Sequence, residues 1–593
     1  MTSICYTAIT FAPVQGFIEK SRKLRDLYGS SFVLSYLASQ ICQAAQKTLT
    51  DDGEDPVISP ALIDVDRGTP NQIIIRGQFD RQQAEETFQQ AWSKIVKGCQ
   101  NWIEKEISTF EYSWNRDWEL WANHAWEFFW ATGGSISEAR SNLNEIKRSR
   151  NWIGINWKGE SSTLSGADAI AWPRMSEAHP KTTSMAEIEK EVEKFYKQLS
   201  EKVTEAIVTP REQLSIPELV KRLITVKDVA KEILKEEIKE LPKGFADLNR
   251  HGDTDETTAE EKTEEFQDID RQEAKQPRYS GWFQGDGDKA GDFLKQLSGK
   301  PEEASRTHEF SLNLRQWGEQ LELRLPRTEK KRTIVTQDDR AIKTSVETAD
   351  GRIIYAGGDD FLGALYRNAP DPALSAYDCV KWFYTFKSDI WSLHKEPITP
   401  SVGFIWAAPG VPLRDVLQHC RVAERSAKNN GRDRLAIRIL FNSGNHLEWV
   451  CPWWFLTVLE DYRDREGRTG KDANWSHFYE DVAVLESRHI FDTPLPDEEK
   501  SDNFAERVIA RSRLLLGLFE IYFPDRVSTL KNSEYWWEHH HQNEPRSGIL
   551  GASPPKPKDP DPETSDREID SPENCLNNWI VNLAKVGFHL HQL

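Results

Sequence analysis

The opening segment, ICYTAITFAPVQGFIEKSRKLRDLYGSSFVLSYLASQICQAA, runs from an aromatic-rich apolar stretch through a small-residue turn into apolar positions at helical spacing. That pattern predicts strand, tight turn and helix. A second strand signal, TPNQIIIRG at 69–77, follows a loop punctuated by Pro and Asp. Residues 82–130 keep a helical period, and Trp114, Trp118, Trp121, Trp126 and Trp130 recur within it near one face. The stripe reads as core or subunit-interface packing rather than as a base-stacking platform. From 185 to 241 the pattern is again helical, with Ile188, Val192, Phe195, Leu199, Val203 and Ile207 on one face. Ser215 followed by Glu218 predicts a capping box opening IPELVKRLITVKDVAKEIL.

Periodicity then stops. Residues 251–274 hold ten Asp or Glu against two Lys or Arg, which reads as a solvated linker with a boundary near 276. Beyond it, RYSGWFQGDGDKAGDFLKQL repeats the aromatic strand, small-residue turn and helix of the N-terminus. We read the two as a weak internal duplication of one α/β unit. The first copy has FAPVQG where the second has GDGDKAG, so only the second carries carboxylates at the turn. PITPSVGFIWA (397–407) reads as a buried strand, and CRVAERSAKNNGRDRLAIRILFNSG (420–444) as helix, Gly turn and strand. From about 453 the pattern is helical, closing with a Pro- and Asp-rich loop at 553–572 and a terminal helix.

Composition narrows the class. A chain of 593 residues is long enough for roughly three to five domains. A net charge of −19 argues against a simple nucleic-acid sponge, because phosphate binding draws on Lys and Arg. The seven cysteines are scattered without a CxxC pair, which fits reduced thiols rather than disulfides or zinc. The N-terminus lacks a signal-peptide pattern, and no run approaches the ~18 apolar residues of a membrane span. A cytoplasmic protein without membrane contact is expected.

The chemistry concentrates in RIIYAGGDDFLGALYR, residues 352–367. Asp is depleted in strands and costly to bury unless a cation or donors meet it. Gly357-Gly358 mark a tight hairpin turn that presents Asp359 and Asp360. Asp286 and Asp288 end another apolar strand, so if the two strands share a sheet, three or four carboxylates meet at its edge. Oxygen donors of this kind suit Mg2+ or Mn2+ with substrate phosphates in the open positions. Such ions serve in-line nucleotidyl transfer. Lys428 and Arg432 either reach a triphosphate or satisfy a helix C-terminus. The triple histidine 539–541 beside Trp536-Trp537 reads as an exposed polar tract before a metal site.

Taken together, APVQGFIEKSRKLRDLYGSSFVLSYL, TPNQIIIRG, ELVKRL, QGDGDKAGDFL, YAGGDDFLGALY and AERSAKNNGRDRLAIRILFNSG occur in the order of a known family. The chain resembles the large subunit of type III CRISPR effector complexes, the Cas10 or Cmr2 palm-domain family, over most of its length. The resemblance implies an α+β chain with two ferredoxin-like, cyclase-type palm domains. The first and degenerate palm would span 1–150, a helical inter-palm domain with the acidic linker 151–275, the GGDD palm 276–452, and a helical C-terminal domain 453–593. It implies an enzyme that, on binding target RNA, joins ATP into cyclic oligoadenylate messengers with Mg2+ or Mn2+. Its partners would be other Cas subunits, crRNA, target RNA and ATP. Carried over by position, Asp286, Asp359 and Asp360 would be catalytic metal ligands. Gly357, Gly358, Ser401 and Lys428 would contact the nucleotide. Relatives often carry an HD nuclease, but none of the fourteen histidines here precedes an Asp, so no HD-type DNase is expected. Relatives also often carry a cysteine zinc knuckle. The matching stretch, SSTLSGADAIAW (161–172), has serines, which do not replace thiolates, so packing alone is expected to hold it. The alternative is a catalytically silent scaffold that anchors crRNA and neighbouring subunits.

Overall fold

A computed structural model describes residues 5–49, 54–65, 68–150, 154–155, 157–177, 184–235, 245–246, 278–335, 341–368, 371–490, 501–541, 544–554 and 572–592. The acidic stretch 251–274 and the side chains of His539–His541 lie outside the described residues. The chain is α+β, built around an antiparallel four-stranded sheet and a mixed six-stranded sheet in which β10 and β11 run parallel.

The first sheet is four-stranded, in the order β2-β3-β1-β4, where β1 is Tyr6–Ala12, β2 Val57–Ser59, β3 Ile73–Arg76 and β4 Glu127–Gly133. Helices α1 (Val14–Glu19) and α2 (Leu24–Leu49) link β1 to β2, and α3 (Arg81–Glu106) and α4 (Asn115–His124) link β3 to β4. Helix α5 (Ile136–Arg148) follows β4. All pairings are antiparallel. The helical period expected to 130 ends at His124, because EFFWATG alternates as a strand and pairs along the whole of β1. The tryptophan stripe therefore splits. Trp114, Trp118 and Trp126 are buried in the core, while Trp130 sits on β4 opposite Ile9.

Three helices follow: α6 (Met185–Val203), α7 (Ile216–Leu223) and α8 (Lys227–Leu234). The predicted apolar face is buried from Val192 to Val203 on α6. The helix expected to run to 241 stops there, at Thr204 in the left-handed region at φ 72°, and Ile207 is buried in the turn beyond it. These helices join the first sheet in one continuous apolar core running from Ile9 to Phe245.

The second sheet is six-stranded, in the order β12-β11-β10-β5-β9-β8. Its strands are β5 (Ser280–Gly287), β8 (Gly351–Ala356), β9 (Phe361–Leu365), β10 (Pro400–Ala407), β11 (Arg434–Leu440) and β12 (His446–Pro452). A separate hairpin, β6 (Arg327–Val335) with β7 (Ala341–Ala349), is inserted before β8. The core β10-β5-β9-β8 repeats the order and antiparallel sense of β4-β1-β3-β2, so the duplication suspected from the sequence reappears as topology. Helices α9 (Ala290–Lys295) and α10 (Glu303–Leu321) lie between β5 and β6, α11 (Ala376–Phe383) precedes β10, and α12 (Leu413–Asn429) joins β10 to β11. The C-terminal helices α13 (Ser476–Ser487), α14 (Phe504–Tyr522), α15 (Val527–Lys531) and α16 (Cys575–Gln592) share one core with one face of this sheet. On the other face α12 packs beside Leu24 and Leu27 of α2, which brings the two sheets into contact. No helix among the described residues is long and apolar enough to cross a membrane.

Candidate active site

Gly357, Gly358, Asp359 and Asp360 form the turn between β8 and β9, closed by the Gly357 amide donating to the Asp360 carbonyl at 3.3 Å. The end of β5 is tied to this turn, the Gly287 amide donating to the Asp359 carbonyl at 3.0 Å. A Cβ on Gly287 would stand 2.9 Å from that of Asp359, closer than carbon atoms pack, so only glycine lets the two acidic turns meet here. Gly357 and Gly358 answer to a different requirement. Neither has a positive φ, and a Cβ on either would lie 3.6 Å from Pro70, an ordinary contact. Their role is to leave bare backbone on the wall of the cavity described next.

That cavity, of about 780 Å3, opens between the two sheets. Asp359 and Asp360 line it from the second sheet, and α1, the segment 68–72 and α5 line it from the first. Asp286 stands beside the two turn carboxylates and raises the cost of charging both. Enclosure by the cavity walls, reinforced by Asp286, pushes Asp359 from the usual carboxylate range up to about 7. Enclosure also raises Asp360, with repulsion from Asp286, Asp359 and Glu424 added to it. Asp360 is nevertheless open to the space inside the cavity, so a ligand there can reach it. The Tyr355 hydroxyl donates to Asp360 at 3.3 Å.

Lys428 is the cation of this group. Its ammonium pairs with Asp286 and, at 2.5 Å, with Glu424 one helical turn earlier on α12. Burial works against the charged ammonium, but Asp286 and Glu424 hold it protonated, above the ordinary lysine value.

Asp288 does not join the cluster. The strand ends at Gly287, and the Asp288 carboxylate is buried, accepting from Ser401 Oγ at 2.7 Å, Thr399 Oγ1 at 2.8 Å and the Asp433 amide at 2.9 Å. Ser401 is accordingly buried behind the site, opposite Asp286 in the β5–β10 register, with its hydroxyl committed to Asp288. Arg432 is exposed, in the left-handed backbone region at φ 62°.

Among the described residues no three His, Cys, Asp or Glu side chains stand close enough together to cage a metal ion. The donor set still fits a hard divalent cation. Mg2+ takes one or two protein carboxylates, keeps several waters and shares its remaining positions with phosphate oxygens. Asp359 and Asp360 offer that pair, while Asp286 is engaged by Lys428.

Three contributors escaped the sequence reading. Glu424 had a local signal, its i,i+4 spacing to Lys428. Tyr355 had one too, two residues before the glycines on the same strand. Arg140 had none, because it reaches the site from the other sheet, and Asp359 is among the charges acting on it.

Residues 6–97 match the family model described as CRISPR-associated protein Cmr2, N-terminal, and residues 279–436 match Cas10/Cmr2, second palm domain. No curated protein matches the chain. Among solved structures, a type III-B Cmr-beta complex in its apo state is similar at 14% identity, over 88% of this chain and 77% of that chain, with a TM-score of 0.49. A Csm1-Csm4 cassette in complex with one ATP is similar at 12% identity, over 99% of this chain and 70% of that chain, with a TM-score of 0.39. The Csm1-Csm4 cassette in complex with cA4 matches at 12% identity over 99% and 70%, with a TM-score of 0.34.

Proposed function

The chain carries the Cmr2 N-terminal and Cas10/Cmr2 second palm domains and belongs to that family; from that premise we propose that it is the large subunit of a type III CRISPR effector complex, assembled with other Cas subunits on a crRNA. On target-RNA binding it condenses ATP into cyclic oligoadenylates by 3′–5′ nucleotidyl transfer. The observation that carries this reading is the pair Asp359 and Asp360 at a cavity of about 780 Å3, with Asp286 close enough to act on both, on the domain that matches the second palm. In this reading both sheets are ferredoxin-like palms, and the domains divide at 150, 275 and 452.

Each residue then has a task. Asp359 and Asp360 would hold Mg2+ or Mn2+, Asp286 would join them once freed from Lys428, and Lys428 would meet a nucleotide phosphate. The bare backbone of Gly357 and Gly358 lets that nucleotide lie close. Ser401 acts at one remove, fixing Asp288 and with it the end of β5. A bound divalent ion supplies charge stabilisation at the phosphate and eases ionisation of the attacking 3′-hydroxyl.

The pairing of Lys428 with Asp286 supports a second reading, a scaffold whose carboxylates are neutralised from within. One experiment separates the two. The assembled complex is given cognate target RNA, ATP and Mg2+, and cyclic oligoadenylates are measured by mass spectrometry beside Asp359→Ala/Asp360→Ala. Product should form with the native chain and fall at least about a hundredfold in the variant, the scale on which loss of a charge-stabilising group is felt. Equal product from the variant overturns the assignment of the carboxylates. A complex that binds and cuts its target yet makes no product is the scaffold.

A further inference from the structure

The cavity has a second charged wall, on the first sheet's side. Arg140, Asn144 and Arg148 follow one another at four-residue spacing on α5, so they share one face, and all three line the cavity. Four basic side chains line this space, and they divide cleanly. Arg421 pairs with Glu19, and Lys295 with Asp292 at 3.3 Å. Arg140 and Arg148 have no ion pair or side-chain hydrogen bond among the described residues. The Nε of Arg140 is buried without any partner. Glu303, a carboxylate whose field reaches Arg140, is occupied by the Ser137 amide and hydroxyl, each at 2.9 Å. A buried guanidinium N–H left unmet is costly, and an arriving anion removes that cost.

The positive charge also continues outward. Arg148 and Asn144 border a shallow recess shared with Lys147 and Arg150. The only described contacts of Arg150 are a long pair to Glu127 at 3.5 Å and the face of Phe129. Glu145 is the one carboxylate on this stretch of the wall. Arg140 and Arg148 are about 12 Å apart along the helix axis, too far for a single phosphate to bridge.

We propose that α5 is an anion track, on which Arg140 holds a phosphate inside the cavity and Arg148, with Lys147 and Arg150 at the rim, holds phosphates further along the same linear oligonucleotide. The inference rests on the nucleotide reading of the site and adds to it the place of a strand longer than one nucleotide. A mononucleotide at the Asp359–Asp360 turn touches the inner end of the track alone, whereas a trinucleotide occupies its length. Discrimination between the two should therefore reside in the outer arginines.

The test uses the full chain with Ca2+ in place of Mg2+ to suppress turnover, and two probes, ATP and linear 5′-triphosphorylated triadenylate. In Arg148→Ala/Arg150→Ala the ratio of triadenylate affinity to ATP affinity should fall about tenfold. The salt dependence of triadenylate binding should lose about 0.7 in slope for each phosphate contact removed. Arg148→Lys should keep most of the ratio, because it keeps the charge. An unchanged ratio and slope overturn the track. If ATP binds and its binding depends on Asp359 and Asp360 while the ratio is unmoved, the track alone fails. If neither probe binds the native chain, or binding ignores those aspartates, the nucleotide reading fails with it.

Discussion

Arg222 shows how far a single residue can organise this fold. Its guanidinium is fully buried and bonded to Asp26 at 2.6 Å and Glu212 at 2.7 Å, which fastens α7 to the start of α2. Burial alone would raise Glu212, but the guanidinium overrides it and brings the carboxyl down to about 2. Asp26 is lowered in the same way, against the same burial. Arg222→Met leaves buried Asp26 without its ion-pair partner and Glu212 with Lys23 alone, at 3.1 Å, and should cost about 3–5 kcal/mol, read from urea unfolding. The pH sign follows from depressed native values. The stabilisation is complete above the ordinary carboxylate range and drains away as pH falls from about 4.5 towards 2. The native chain should lose stability across that window, and the Arg222→Met chain should not show the same loss. ELVKRL was visible in the sequence as a motif, yet nothing in it named Asp26, which lies far upstream at the head of another helix.

At the scale of elements, the SSTLSG stretch is held differently from the expected packing. Glu218, at N3 of α7, accepts from the Ser215 amide at 2.8 Å, as its place in the capping pattern predicts. It also accepts from Ser162 Oγ at 3.1 Å and the Ser165 amide at 3.2 Å. One buried carboxylate gathers the loop, and Asp168 adds an ion pair to Lys20 at 2.7 Å. Glu218→Ala strands these donors and should cost about 3 kcal/mol. Hydrogen exchange should then accelerate at 161–169 more than in α6; uniform exchange across both would show that Glu218 is not what gathers the loop. The capping box was legible because it is local. Its second job was not, because loop and helix are joined only by folding. The failure at 125–130 has the same root, since aromatic residues satisfy a helical and a strand period alike until β1 is present to pair with them.

For the whole molecule the decisive contact is between the two sheets. Arg315 of α10 donates to the carbonyls of Leu62 at 3.0 Å and of Gly68 on the first side, and to Gly357 at 3.5 Å on the turn that carries the aspartates. Arg315→Met should loosen both ends together, with faster hydrogen exchange at 62–70 and at 355–360. A change confined to one segment would show that Arg315 does not couple them.

The sequence by itself determined what depends on near neighbours. The β8–β9 hairpin, the helix-turn-strand around Gly431, the apolar face of α6 and the residues of the two acidic turns were all readable from local periodicity and turn chemistry. Tertiary structure alone decided which carboxylates act together. Asp288 turns away to Ser401 and Thr399, Lys428 closes on Asp286, and Arg140 arrives from a different sheet. The reason is physical. Strand order sets these neighbours, and strand order is chosen by burying whole faces against one another, a choice that leaves no period in any single stretch of chain.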